Sequence, residues 1–163
     1  MDWGFNMDFE LFSDEIKNLI TFFEIDKYKI LSNGVIKLSL PKNKFKDVIK
    51  HMKIYAEYEF DILFSVSAAD YGDNFVFLYD LFSTQLNLEV IISVDVSKID
   101  NSIDTVCDIF PSANWDEREI YDLLGIKINN HPDLRRLLMP KDWIGHPLRK
   151  DYVLEDERLA WNK

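Results

Sequence analysis

The chain has 163 residues and a mass of 19.3 kDa, enough for one domain with its own core and short for two. With 47% hydrophobic and 14% aromatic residues, and five each of glycine and proline, its composition is that of a packed globular protein and excludes a disordered one. A net charge of -10 and a pI near 4.7 argue against nucleic acid or anionic lipid as a direct partner, because either polyanion is repelled at long range.

Asp2, Asp8 and Glu10 stand where a secretory signal needs a basic start and a long apolar segment, so a cytoplasmic location is expected. Ser13 is placed to cap a first helix reaching Phe23, in which Ile16, Leu19, Ile20 and Phe23 recur at three- and four-residue steps and make one apolar face. Tyr28 to Leu31 and Val35 to Leu40 read as strands around Asn33-Gly34, a pair suited to the positive φ of a tight hairpin. Pro41 suits the first position of a second helix, whose face is Phe45, Val48, Ile49 and Met52 and which runs to about Tyr55, with His51 on its polar side.

Three β-rich runs follow, at Asp61 to Ala68, Phe75 to Phe82 and Leu88 to Val94, divided by the turn-formers at 70–73 and the polar stretch 83–87. They predict a meander, and the apolar runs within them are too short to span a bilayer. Ser102 to Phe110 reads as a short helix before Pro111. Cys107, the single cysteine, excludes an internal disulfide or a thiolate cluster and is expected to pack as a small core residue. Asn114 and Glu117 have capping-box spacing for a further helix that ends at Gly125. Beyond it, His131-Pro132, Met139-Pro140 and His146-Pro147 favour extended backbone and predict a long ordered loop that wraps over something. The expected fold is α+β: a single domain with a mostly antiparallel sheet packed by helices. Residues 1–125 form its core, and 126–163 form an extended, irregular C-terminal docking segment.

Charge is divided unevenly along this plan. Residues 1–111 hold 19 acids and 10 lysines without arginine, whereas 112–163 hold 10 acids and 9 bases, including all five arginines. Arginine's planar five-donor fork suits buried or interfacial carboxylate pairs, so the last third is expected to make such pairs, within the chain or with a protein partner. Trp115, Trp143 and Trp161 fall in the same third, either as core residues or as interface anchors.

The acidic helix 115–124 admits two readings. In the first it is an ordinary helix, with Ile120, Leu123 and Leu124 inward and Arg118 and Asp122 paired on an exposed face. In the second, Glu117 or Glu119 is a general acid or base partnered by His131. No nucleophile lies nearby in sequence and the five glycines, at 4, 34, 72, 125 and 145, are too scattered for a phosphate loop, which favours the first. His131, His146 and Asp133 lack compact metal-ligand spacing. A histidine before proline more simply donates a ring N–H to a backbone carbonyl to fix a turn.

Three segments taken in order carry a family resemblance: Glu117 to Ile126 (EREIYDLLGI), His131 to Leu138 (HPDLRRLL) and Gly145 to Tyr152 (GHPLRKDY). Together they closely resemble the signature of the 30-kDa subunit, also called the C subunit, of respiratory complex I. The chain departs from that pattern at Ile128, Asn130 and Val153. The resemblance implies a subunit of the hydrophilic arm of NADH:quinone oxidoreductase, peripheral on the cytoplasmic side of the membrane and attached to it only through other subunits. It implies a chain without its own flavin (FMN), iron-sulfur cluster, quinone or catalytic group, docked on the large quinone-site subunit and near the iron-sulfur subunits. The interface residues it implies are Glu117, Arg118, Glu119, Tyr121, Asp122, His131, Arg135, Arg136, Trp143, His146, Arg149, Lys150 and Asp151. The equivalent subunit of a membrane-bound nickel-iron hydrogenase or of a ferredoxin- or F420-linked oxidoreductase shares this motif. A free-standing soluble enzyme using the acidic helix is the remaining alternative.

Overall fold

The computed structural model describes residues 13–55 and 58–153; the N-terminal acids and Trp161 lie outside them. Within that range the chain runs α1 (Asp14–Phe22), β1 (Lys27–Ile30), β2 (Ile36–Leu40), α2 (Phe45–Ile54), β3 (Ile62–Asp70), β4 (Asn74–Ser83), β5 (Leu88–Ser97), β6 (Ser102–Asp104), α3 (Ala113–Leu124) and β7 (Lys127–Asn129). The expected α+β class holds, with a five-stranded sheet ordered β1-β2-β5-β4-β3 and a two-stranded sheet of β6 and β7.

Alternation builds the main sheet. Along β4 the odd-numbered residues Phe75, Phe77, Tyr79, Leu81 and Ser83 are buried, and their partners in register are Val96, Val94, Ile92, Val90 and Leu88 of β5. Ile36, Leu38 and Leu40 of β2 continue that face through Val90, Ile92 and Val94. On it lie the apolar stripes of α1 (Ile16, Leu19, Ile20) and α2 (Phe45, Val48, Ile49, Met52), with the Phe45 ring stacked on Tyr79 at 5.3 Å. Each such fully buried aliphatic or aromatic side chain contributes about 1.5–3 kcal/mol.

The hairpin forms at the expected place: Gly34 has φ 87° and its N–H donates to Leu31 O at 2.9 Å. The meander also forms, though β5 pairs with β2 in parallel, so the sheet is mostly rather than wholly antiparallel. Pro41 is not the first residue of α2. Its carbonyl accepts from Lys44 and Phe45 N–H at 3.0 and 3.3 Å, so a turn precedes the helix. His51, off the buried stripe of α2 and half-buried, stacks its ring on Tyr55 at 4.0 Å and on Phe22 at 5.3 Å.

The predicted helix at 102–110 is replaced by β6 and a single turn. Ser102–Asp104 pairs in parallel with Lys127–Asn129, and Val106 O accepts from both Ile109 and Phe110 N–H. The alternative of a helix would forfeit this pairing and leave β7 without a partner. In α3 the capping box does not form either: Ser112 occupies the cap position and Glu117 turns inward. The helix does end at Gly125, in the left-handed region at φ 69°, and a Cβ there would collide with the His146 ring.

From Asn130 to Val153 the chain has no helix or strand. This irregular stretch crosses α3 and returns to the main sheet, as the long ordered loop anticipated.

Candidate functional site

Asp122, on the third turn of α3, organises the start of the irregular segment. Its carboxylate is fully buried, and Oδ2 accepts the backbone N–H groups of Leu137, Leu138 and Met139 at 2.9, 2.7 and 2.8 Å. Oδ1 accepts from Arg136 Nη1 at 2.7 Å, and the same guanidinium reaches Gly145 O through Nη2 at 3.1 Å. Burial alone would raise the pKa of this carboxyl, yet the backbone donors and Arg136 outweigh it and hold it below its ordinary value. The main-chain carbonyl of Asp122 takes the ring N–H of His146 Nδ1 at 2.8 Å, which is the turn-fixing role a histidine before proline suggests. One residue therefore ties down both 136–139 and 145–146.

The segment's far end is held by a second buried acid. Asp70 Oδ2 accepts from Lys150 N at 2.9 Å and Lys98 Nζ at 2.8 Å, while Oδ1 accepts Gly72 N–H at 2.8 Å. Against the cost of burial, these donors and the Lys98 charge lower its pKa to about 2. Arg149 and Asp151 form a two-point ion pair at 2.9 and 3.1 Å, with the guanidinium 5.6 Å from the Phe75 ring.

A third knot joins the loop after β6 to α3 and to the beginning of the segment. Glu117, 1% exposed, accepts from Thr105 Oγ1 at 2.5 Å, Val106 N at 2.8 Å and Cys107 Sγ at 3.3 Å. The His131 ring lies 3.8 Å away. The sulfur, carboxylate and imidazole atoms fall within 4.8 Å of one another, a donor set with metal-ligand chemistry. Asp133 N–H donates to His131 Nδ1 at 3.0 Å, so the ring hydrogen sits on Nε2, toward Asn114 O at 3.3 Å. Burial foremost pushes the Cys107 thiol up to about 11 and the Glu117 carboxyl above its ordinary value. A thiol held in its neutral form and donating to a buried acid is a poor nucleophile. Glu117 and His131 do meet, as the catalytic reading supposes, with the Glu117 carboxylate already accepting from Thr105, Val106 and Cys107.

Among the other residues named from the sequence, Arg118 and Asp122 do not pair on an exposed face. Both are buried, and Arg118 Nε donates to Arg135 O at 3.3 Å while its guanidinium lies 5.1 Å from the Trp115 ring. The partners of both residues come from the irregular segment, which spacing within one helix does not reveal. Glu117, Arg118 and Asp122 are thus spent inside this chain. Glu119, Arg135, Lys150 and Asp151 are exposed, and Tyr121, His131, Arg136, Trp143, His146 and Arg149 are half-buried.

Sequence reasoning did not single out Asp70, Thr105 or Asp116, whose Oδ2 accepts Val66 N–H at 2.7 Å and joins α3 to β3. It also gave no docking role to Leu138, Ile144, Leu148 or Val153. These four segment residues are 58%, 87%, 59% and 70% exposed, large apolar side chains facing solvent on a backbone held by buried charges. Their spacing has no period, so only the fold brings them out.

The fold and these knots define a class: a single α+β domain with an ordered, internally ion-paired C-terminal segment. The chain belongs to the family of the respiratory-chain NADH dehydrogenase 30-kDa subunit, whose model matches residues 38–158. It is 41% identical over 126 residues to the C subunit of NADH-quinone oxidoreductase from Geobacter sulfurreducens, covering 75% of this chain and 76% of that one. It is 37% identical over 129 residues to the C/D subunit of the Shewanella oneidensis oxidoreductase, covering 73% of this chain and 21% of that longer polypeptide. Among solved structures, a trypsin-resistant fragment of Nqo5 is 28% identical with a TM-score of 0.63, covering 74% of this chain and 99% of the fragment. An archaeal membrane-bound sulfane sulfur reductase complex contains a chain of the same fold, at 21% identity and a TM-score of 0.70, covering 90% of this chain and 86% of that one. The relatives favour the NADH-quinone oxidoreductase reading over a hydrogenase-type complex.

Proposed function

We propose that this chain is a non-catalytic, cofactor-free subunit of NADH-quinone oxidoreductase. Its irregular segment docks on the large quinone-site subunit, near the iron-sulfur subunits and on the cytoplasmic side of the membrane. The observation that carries this reading is the exposure of Leu138, Ile144, Leu148 and Val153 on a segment fixed by Asp122 and Asp70. Apolar side chains presented on a pre-ordered backbone lose little entropy when a partner covers them. Arg135, Arg136, Arg149 and Asp151 form the charged rim of that surface, with Arg118, Asp122 and Glu117 bracing it from behind.

Relatives in which the C and D subunits share one polypeptide support a partner in the subunit that occupies the remainder of that chain. Among the described residues no helix is long and apolar enough to cross a membrane, in keeping with attachment through other subunits. FMN, iron-sulfur clusters and quinone belong, on this reading, to those partners, and the role of the present chain is to hold geometry around them.

Affinity purification of the tagged chain from gently solubilised native membranes tests the proposal. Recovery with flavin- and iron-sulfur-bearing subunits and with NADH:quinone activity is expected. Recovery with a nickel-iron subunit and hydrogen oxidation, or as a monomer that turns over substrate unaided, would overturn it.

A further inference from the structure

The main sheet has a second face, opposite α1 and α2, that differs in kind from the buried one. Its residues Val76, Leu78, Asp80 and Phe82 on β4 and Ile91 on β5 are all half-exposed, and Phe64, at the bulge in β3, is 56% exposed with its ring 5.4 Å from Phe82. These make an apolar patch on a regular pleated surface. The registers place small residues around its centre: Ser65 is opposite Asp80, and Ser67 and Ser93 flank Leu78 from the two neighbouring strands. A partner can approach the backbone closely there.

An acid sits inside this patch. Asp80 Oδ1 is shielded from solvent and has no hydrogen-bond partner among the described residues. Native structures almost always give a shielded carboxylate oxygen a donor. Lys37 lies on the same cross-sheet row but Ile91 stands between them, and no ion pair joins them. Burial, and then the negative charge of Glu89, push the Asp80 carboxyl above its ordinary value.

We infer that this face is a second docking surface, which takes from another protein of the assembly an apolar segment with a lysine or arginine that bonds Asp80. The inference rests on the reading of the chain as a subunit of an assembly but uses none of the irregular segment. An unpaired acid within an apolar patch selects for one class of occupant, because an uncharged apolar segment would strip water from Asp80 without replacing the lost hydrogen bonds.

The test places a photoreactive benzoylphenylalanine at Leu78 of the tagged chain in native membranes, with irradiation before purification of the whole complex. A crosslink to a peptide of another subunit, with lysine or arginine within a few residues of the linked site, is expected. Asp80→Lys should then lower recovery of that subunit at least tenfold, while Asp80→Asn lowers it less. An intact complex with no crosslink overturns the inference and leaves the assembly reading standing; so does a crosslink to lipid, to a second copy, or to residues 1–12 or 154–163 of the same chain. A tagged parent chain that recovers no complex overturns both.

Discussion

Residues 13–129 and residues 130–153 are held by different physics. The first region is lysine-rich and stands on burial: alternating strands, two amphipathic helices and a contiguous apolar core. The second has no helix or strand and little core, and it stands on a few buried acids that accept its backbone N–H groups and Arg136. A hydrophobic core tolerates many sequences of similar volume. A carboxylate with three backbone donors and a guanidinium does not, because every unmet donor is then a buried cost. The irregular region is therefore the more exacting of the two, and it carries two of the three signature segments, 131–138 and 145–152.

Substitutions separate the two modes. Phe77→Ala, in the centre of the sheet's buried face, should cost about 3–5 kcal/mol. Denaturant unfolding of the chain should show the loss in one cooperative step. Asp122→Ala leaves Arg136 and the N–H groups of 137–139 unpartnered, at a cost of about 3 kcal/mol. That loss should be local: hydrogen exchange should speed up at 136–146 and remain slow in β4 and β5. Uniform acceleration across both regions would erase the distinction drawn here.

Gly125→Ala is a smaller perturbation at the joint between the regions. The new methyl meets the His146 ring and the backbone is left-handed, so a destabilisation of about 1–3 kcal/mol is expected from thermal unfolding. Asp70 predicts a pH effect. Its folded pKa, about 2, is below the unfolded value, so its contribution is fully present above about pH 4 and is lost as pH falls toward 2. Between pH 5 and 2 the parent should lose more stability than Asp70→Asn. Equal slopes in acid titrations of unfolding would remove Asp70 as an anchor. Arg149→Glu should change stability least, by less than about 1 kcal/mol, because its pair with Asp151 is near the surface. Its effect should instead be a reduced yield of assembled complex.

The same division explains what the sequence makes legible. Local signals read correctly where local physics decides: Asn33-Gly34 at the hairpin, the stripes on α1 and α2, the alternation in β3 to β5 and Gly125 at the end of α3. They fail where a distant segment decides. Ile103, Val106, Cys107 and Phe110 have helix-like spacing, but the parallel pairing of 102–104 with 127–129 overrides it. The same is true of Arg118 and Asp122, whose spacing fits an exposed pair until the segment beyond residue 130 covers them. Asp70 looks like a turn residue because it is one, through Gly72, and its bond to Lys150 across 80 residues has no local trace.

The claim that the ordered segment is a docking surface is tested most directly by a variant carrying both Ile144→Asp and Leu148→Asp, tagged and purified from native membranes beside the parent. Both side chains face solvent, so the chain should fold and be recovered in normal amount while its partner subunits and NADH:quinone activity are lost from the preparation. Recovery of the whole complex with parental activity would contradict the account.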